Sequence, residues 1–162
     1  MRQSIHTDYS LRVLMYLALY PEQLVQIGEI ANRYEISKNH LTKVVHNLVK
    51  SGFVTSTRGR NGGVKLARSP QDINIGDVVT KAEEDFHIVE CFNHHSNQCV
   101  ITGPCQLGGV FAKALEAYMA SLAKYTLDDL IENQLLMRRA LQHNERKIVV
   151  THLDADSDAT DF

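Results

Sequence analysis

The sequence predicts a mainly α-helical fold carrying one small β-hairpin, and three observations predict it. Two short apolar-striped segments meet at a tight turn near residue 35. An Arg-, Gly- and Asn-rich stretch then separates two alternating segments, and a long, wide apolar stripe opens at Leu107. Apolar residues three and four apart mark helices, and period-two alternation marks strands.

Leu11, Leu14, Met15 and Ala18 predict an amphipathic helix over about residues 8–20, opened by Thr7 or Asp8 and closed before Pro21. Ile27, Ile30, Ala31 and Tyr34 form a second, shorter stripe, and Tyr34-Glu35-Ile36 reads as the turn. Ser37 follows as an N-cap, its hydroxyl expected to accept from the amides of the next turn. Leu41, Val44, Val45, Leu48 and Val49 mark a third helix that ends at Gly52. Two short helices joined by so short a turn make a helix-turn-helix.

Residues 53–57 and 64–68 are strand-like, with Arg58-Gly59-Arg60-Asn61-Gly62-Gly63 between them. Asn61-Gly62 is expected to make the hairpin turn, because both residue types tolerate positive φ. A hairpin directly after a helix-turn-helix completes a winged helix-turn-helix. Ile73, Ile75, Val78 and Val79 begin a further short helix after Pro70, and residues 84–106 read as an irregular polar loop. Leu107, Val110, Phe111, Ala114, Leu115, Tyr118, Met119, Leu122 and Tyr125 then line one face of a long helix, with a short helix after it. So wide a stripe suits a dimerisation helix, with packing inside the chain as the other use. The expected division is residues 1–83 for the winged helix-turn-helix, 84–106 for the loop, 107–143 for the long and following helices, and 144–162 for a disordered acidic tail.

Charge divides along the same line. Residues 1–70 hold ten Lys/Arg against four Asp/Glu, whereas residues 71–162 hold seven against fifteen. A basic N-terminal module on an acidic remainder suits a polyanionic partner. Ser37, Lys38, Asn39, His40, Thr42 and Lys43, with His46 and Lys50, lie off the apolar stripe of the third helix. Cations, amides and hydroxyls there suit phosphates and base edges of double-stranded DNA. Arg58, Arg60 and Asn61 sit at the hairpin tip, from which arginine can reach the backbone or a narrow minor groove. The glycines are no nucleotide-binding loop, since the GK[ST] ending is missing. No Ser/His/Asp set is recognisable, so an enzyme is not expected. The longest apolar run, Val13–Tyr20, is far short of the roughly 20 residues that span a bilayer, and a cytoplasmic protein is expected.

All three cysteines, Cys91, Cys99 and Cys105, fall within fifteen residues at the spacing Cys-x7-Cys-x5-Cys. Thiolates are soft donors that select zinc, copper(I) or iron–sulfur clusters. Structural zinc sites typically use close C-x2–4-C pairs, which are missing here. Wider gaps suit a loop wrapped around a larger iron–sulfur object, although zinc and unmetallated thiols remain open. Three thiolates leave one ligand to find, and His87, His94, His95 or a distant carboxylate are the candidates.

Asp8-Tyr9-Ser10-Leu11-Arg12, Gly28-Glu29-Ile30-Ala31, Arg58-Gly59-x-x-Gly62-Gly63 and the three-cysteine loop together resemble the Rrf family of winged-helix regulators, over about residues 1–135. Within it the chain is most similar to a nitric-oxide-sensitive repressor branch. The resemblance implies a homodimer bound to operator DNA, with an iron–sulfur cluster (2Fe-2S or 4Fe-4S) on Cys91, Cys99 and Cys105. It implies Asp8 of the other subunit as a further ligand, although an Asp there also serves as an N-cap. A sister branch supplies a histidine two residues after its last cysteine, where this chain has Leu107. The first inter-cysteine gap is longer than in relatives and includes His94 and His95, which keeps the fourth ligand and the cluster type open. Nitric oxide would attack the cluster, release the DNA and derepress detoxification genes. The alternatives are a regulator sensing iron–sulfur supply or redox state and, from another class, an electron carrier or cluster-transfer protein.

Overall fold

The computed structural model describes residues 3–142 of the chain. The expected acidic tail lies outside the described residues. Helix α1, Ile5–Leu19, starts three residues earlier than its apolar stripe suggests. Ser4 is the N-cap, with extended backbone and a side-chain oxygen that accepts from the Thr7 amide at 3.1 Å. Thr7 is therefore a buried first-turn residue and Asp8 is not a cap, which corrects the expectation for both. α1 is also not an ordinary amphipathic helix. Leu14, Tyr16, Leu17 and Leu19 are all buried, so its second half is enclosed on every side. Each such side chain contributes roughly 1.5–3 kcal/mol by leaving water.

Helices α2, Ile27–Tyr34, and α3, Lys38–Lys50, pack on each other, and α3 also packs on α1. The turn between them places Glu35 in the left-handed region at φ 54°. Ser37 holds the N-cap position of α3, but its hydroxyl makes no capping bond, contrary to expectation. At the other end Gly52 adopts φ 76°. The Gly52 amide donates to the Val49 carbonyl and the Phe53 amide to the Leu48 carbonyl, both at 3.0 Å. That paired closure is a Schellman motif, and the buried Phe53 and Leu48 side chains supply its apolar part.

The wing comprises β1, Val54–Thr57, and β2, Gly63–Leu66, antiparallel with Val54 opposite Leu66 and Thr57 opposite Gly63. Both strands are shorter than their alternating segments. The positive φ of the connection falls on Gly59, at 117°, and not on Asn61-Gly62. Gly62 serves close approach instead: a Cβ there would lie 2.2 Å from the Thr57 carbonyl oxygen. Val25 bridges to Val64 through two backbone bonds of 3.0 and 2.8 Å and fastens the wing to the segment after α1.

A 3-10 turn at Pro70–Asp72 leads to α4, Ile75–Ala82, capped by the Asn74 side chain. The segment from Glu83 to Gln106 is irregular apart from a 3-10 turn at Glu90–Phe92. Helix α5, Leu107–Leu122, follows, and Tyr125 lies beyond its end, not within it as its stripe suggests. After α5 the chain returns to the core, the Leu127 amide donating to the Ile73 carbonyl at 2.8 Å. Leu127, Ile131 and Leu141 are buried there, the last on a helical stretch over residues 134–142.

A Cβ at Gly63 would lie 2.8 Å from the Val25 carbonyl oxygen, a backbone atom that cannot step aside. Gly63→Ala is expected to cost about 1–3 kcal/mol of stability, read from urea unfolding. Two aromatic groups make stability depend on alkaline pH. Burial pushes the Tyr34 phenol up to about 12, nearby Arg12 opposing and Tyr20 assisting. Burial, with the bond to Glu29, raises Tyr16 further still. The folded chain thus keeps protons that the unfolded chain releases near pH 10. The stabilisation is complete below about pH 10 and declines as pH climbs toward 12, so the urea midpoint should fall across that window. Tyr34→Phe should flatten the fall.

Candidate DNA interface and cysteine cavity

The apolar stripe of α3 buries Leu41, Val44, Val45 and Leu48, which turns Lys38, Asn39, His40, Thr42 and Lys43 outward. His46 and Lys50 are exposed along the same helix. The first turn holds no acidic residue and no side-chain cap, so the positive end of the helix faces solvent beside Lys38. Such an end favours phosphate through its amides and its dipole. Ser37 is exposed at that end. Thr42 departs from a simple reading of the surface, because its hydroxyl proton is used on the Lys38 carbonyl at 2.8 Å and it can offer only lone pairs. Arg58, Arg60 and Asn61 are exposed at the wing tip.

Away from these residues in sequence, the three cysteines share one cavity. Cys91, Cys99 and Cys105 are half-buried and line one cavity of about 570 Å³ with His87, His94, Phe86 and Phe92. That volume lies within the range of about 300–1,000 Å³ typical of ligand sites. Among the described residues no three His, Cys, Asp or Glu side chains converge tightly enough to hold a single metal ion. The sulfurs rim a shared space and do not meet at a point. The segment that carries them is tied internally: Gln98 N donates to Glu90 Oε1 at 2.7 Å, Cys99 N to Asn97 Oδ1 at 3.1 Å, and Thr102 Oγ1 to the Cys99 carbonyl at 2.8 Å.

Gly108 and Gly109, in the first turn of α5, also line the cavity. A Cβ at Gly108 would lie 3.4 Å from Cys91 Sγ. The sequence signal for this close approach was a pair of glycines inside a helix, where each is costly by about 0.5–1 kcal/mol. Soft sulfur donors around a space shaped by absent side chains fit an iron–sulfur group. Of the other candidates, His87 and His94 reach the cavity, whereas His95 and Asp8 lie outside its lining. Asp8 pairs instead with Arg12 one turn along α1, at 2.8 Å to Nη2 and 3.2 Å to Nε.

The fold and its basic surface define a winged-helix transcription regulator. The profile of the Rrf2 family, described as an iron-dependent transcriptional regulator, matches residues 3–133. The regulator NsrR of Bacillus subtilis is 50% identical over 146 residues, covering 90% of this chain and 100% of the relative. NsrR of Shouchella clausii is 47% identical over 143 residues, covering 88% and 96%. Among solved structures, T. potens IscR superposes with a TM-score of 0.65 at 27% identity, covering 82% of this chain and 88% of that one. CymR of B. subtilis, at 23% identity and TM-score 0.64 over 80% and 95% of the two chains, shares the fold. The chain belongs to the Rrf2 family of transcriptional regulators.

A branched side chain at Gly108 would enter the cavity beside Cys91. Gly108→Val is expected to lower iron per chain at least severalfold while the thermal midpoint stays near that of the parent, checked by iron assay and calorimetry on anaerobic preparations.

Proposed function

We propose that this chain is a cytoplasmic repressor that binds operator DNA as a homodimer, holds an iron–sulfur cluster and releases DNA in response to nitric oxide. The observation that carries this reading is the cavity rimmed by all three cysteines in a winged-helix chain. High identity to NsrR regulators along most of the chain supports the assignment of the signal. When bound, the cluster would supply iron that nitric oxide can coordinate.

Cys91, Cys99 and Cys105 would hold the group, with the partner's Asp8 as the further ligand. In one chain Asp8 points its carboxylate to Arg12 and is half exposed, so exchanging that partner involves little desolvation. α5 would form the dimer: none of its residues is buried in the single chain, and Leu107 and Val110 are 55% and 61% exposed. A twofold dimer presents two recognition helices to the half-sites of a palindrome. Residues 1–83 would read DNA, 84–106 would hold the cluster and 107–143 would join the subunits. On this reading the chain is no enzyme. The solved IscR relative lends some support to a sensor of iron–sulfur supply, which would respond to iron or redox state and not to nitric oxide.

Anaerobic purification, iron and sulfide assay, and titration with nitric oxide against a palindromic duplex test the proposal. Coloured, iron-loaded dimers that bind the duplex and lose it on nitric-oxide addition are expected. Colourless, iron-free protein with undiminished binding and no response would overturn it. Asp8→Ala should weaken cluster retention; a full cluster and unchanged release in that variant would remove Asp8 from the ligand set.

A further inference from the structure

The first turn of α1 is tied to two parts of the molecule that lie far apart in sequence. The Ser4 amide donates to Glu83 Oε1 at 2.9 Å, and Glu83 is the C-cap of α4, where the chain enters the cysteine-bearing segment. Two residues later His6 Nε2 accepts from Asn47 Nδ2 at 3.1 Å, and Asn47 lies on α3. Asn47 Oδ1 accepts in turn from Ser51 Oγ at the end of that helix, at 3.4 Å. The turn itself is braced, since Ser10 Oγ donates to the His6 carbonyl at 2.8 Å. Three consecutive residues thus connect the root of the cysteine segment to the helix that carries the basic surface, all within one chain.

Open space lies beside this joint. Cavities of about 330 and 300 Å³ flank it, and both include Ser4, Glu83 and Asp85 in their walls. Thr7 and Ser10 are buried on one side of this turn, whereas the apolar core of α1 begins further on, at Val13. Close-packed interiors resist displacement, whereas a junction with space beside it can take two arrangements without opening the core. Asn47 is half-buried on α3, whereas Lys43, His46 and Lys50 are exposed, so its amide is occupied by α1.

We propose that this turn is an intrachain relay. Glu83 transmits the state of the cysteine segment to Ser4, and His6 transmits it through Asn47 to α3. His6 and Asn47 are positioning residues that set the angle of the recognition helix. The relay rests on the cluster-dependent repressor reading, but it requires neither Asp8 nor a second subunit as a ligand source.

The test compares operator affinity of cluster-loaded and chelator-stripped full-length protein, using a duplex selected from random-sequence DNA by the loaded wild type. A net hydrogen bond changes an equilibrium by roughly two- to twelvefold. Asn47→Ala and His6→Ala should therefore shrink the loaded-to-stripped affinity ratio by about three- to tenfold, with iron per chain unchanged. His6→Gln, whose side-chain oxygen can accept from Asn47, should restore most of the ratio. Hydrogen exchange along α3 should differ between loaded and stripped wild type and become alike in Asn47→Ala. Glu83→Ala cuts the other tie and should shrink the ratio equally, which keeps the relay testable if Asn47→Ala fails to fold. Variants that retain the full wild-type ratio would overturn the relay alone. A wild type whose DNA affinity ignores the cluster would overturn the repressor reading, and the relay with it.

Discussion

The enclosure of α1 is the constraint on which the rest of the molecule depends. α3, α4, the wing and the turn at Asp129–Ile131 all pack against this one helix. Its second half is buried all round, and even its polar group there is satisfied, with the Tyr16 hydroxyl donating to Glu29 at 2.8 Å. A helix so surrounded cannot rotate without breaking several interfaces. Its first turn, by contrast, emerges between cavities and carries Ser4, His6 and Asp8. A fixed second half and open space beside Ser4 and His6 are the two features that the proposed relay uses.

α5 inverts that arrangement. It is as apolar as any helix of the chain, yet no residue of it is fully buried, and only Met119 and Leu122 pack on the core. A contiguous apolar face left to water is a standing free-energy cost that association removes. The cysteine cavity opens at the start of this helix, where Gly108 meets Cys91 Sγ. The proposed cluster and the proposed dimer interface therefore share one element, and a change at the first is placed to be felt at the second.

The side proposed to face DNA follows from how its helix is ended. The Schellman closure at Gly52 hands the chain directly into the wing, which fixes β1 relative to α3. At the opposite end the absence of a Ser37 cap leaves the positive helix terminus open beside Lys38. An unsatisfied terminus is weak for folding and useful for holding a phosphate. Glu35 carries a related tension. It sits at φ 54°, a conformation that costs a non-glycine residue of order 1–2 kcal/mol, to bring α2 and α3 into register.

Local spacing by itself determined α2, α3, the two wing strands, the Gly52 stop and the clustering of thiols, because each is a contact between residues only a few positions apart. The start of α1 escaped it, since Ser4-x-x-Thr7 caps a turn that carries no apolar stripe. The hairpin escaped in detail: Gly59 takes the positive φ and Gly62 the close approach, a division that depends on the five-residue connection and not on the Asn-Gly pair. Only the tertiary structure decided that three sulfurs share one cavity with His87 and His94 but not His95, and that Asp8 faces Arg12. It alone joined Ser4 to Glu83 and His6 to Asn47, 79 and 41 residues apart. Such pairings are set by how helices stack, and stacking is fixed by the summed burial of many side chains, which no short window of sequence contains.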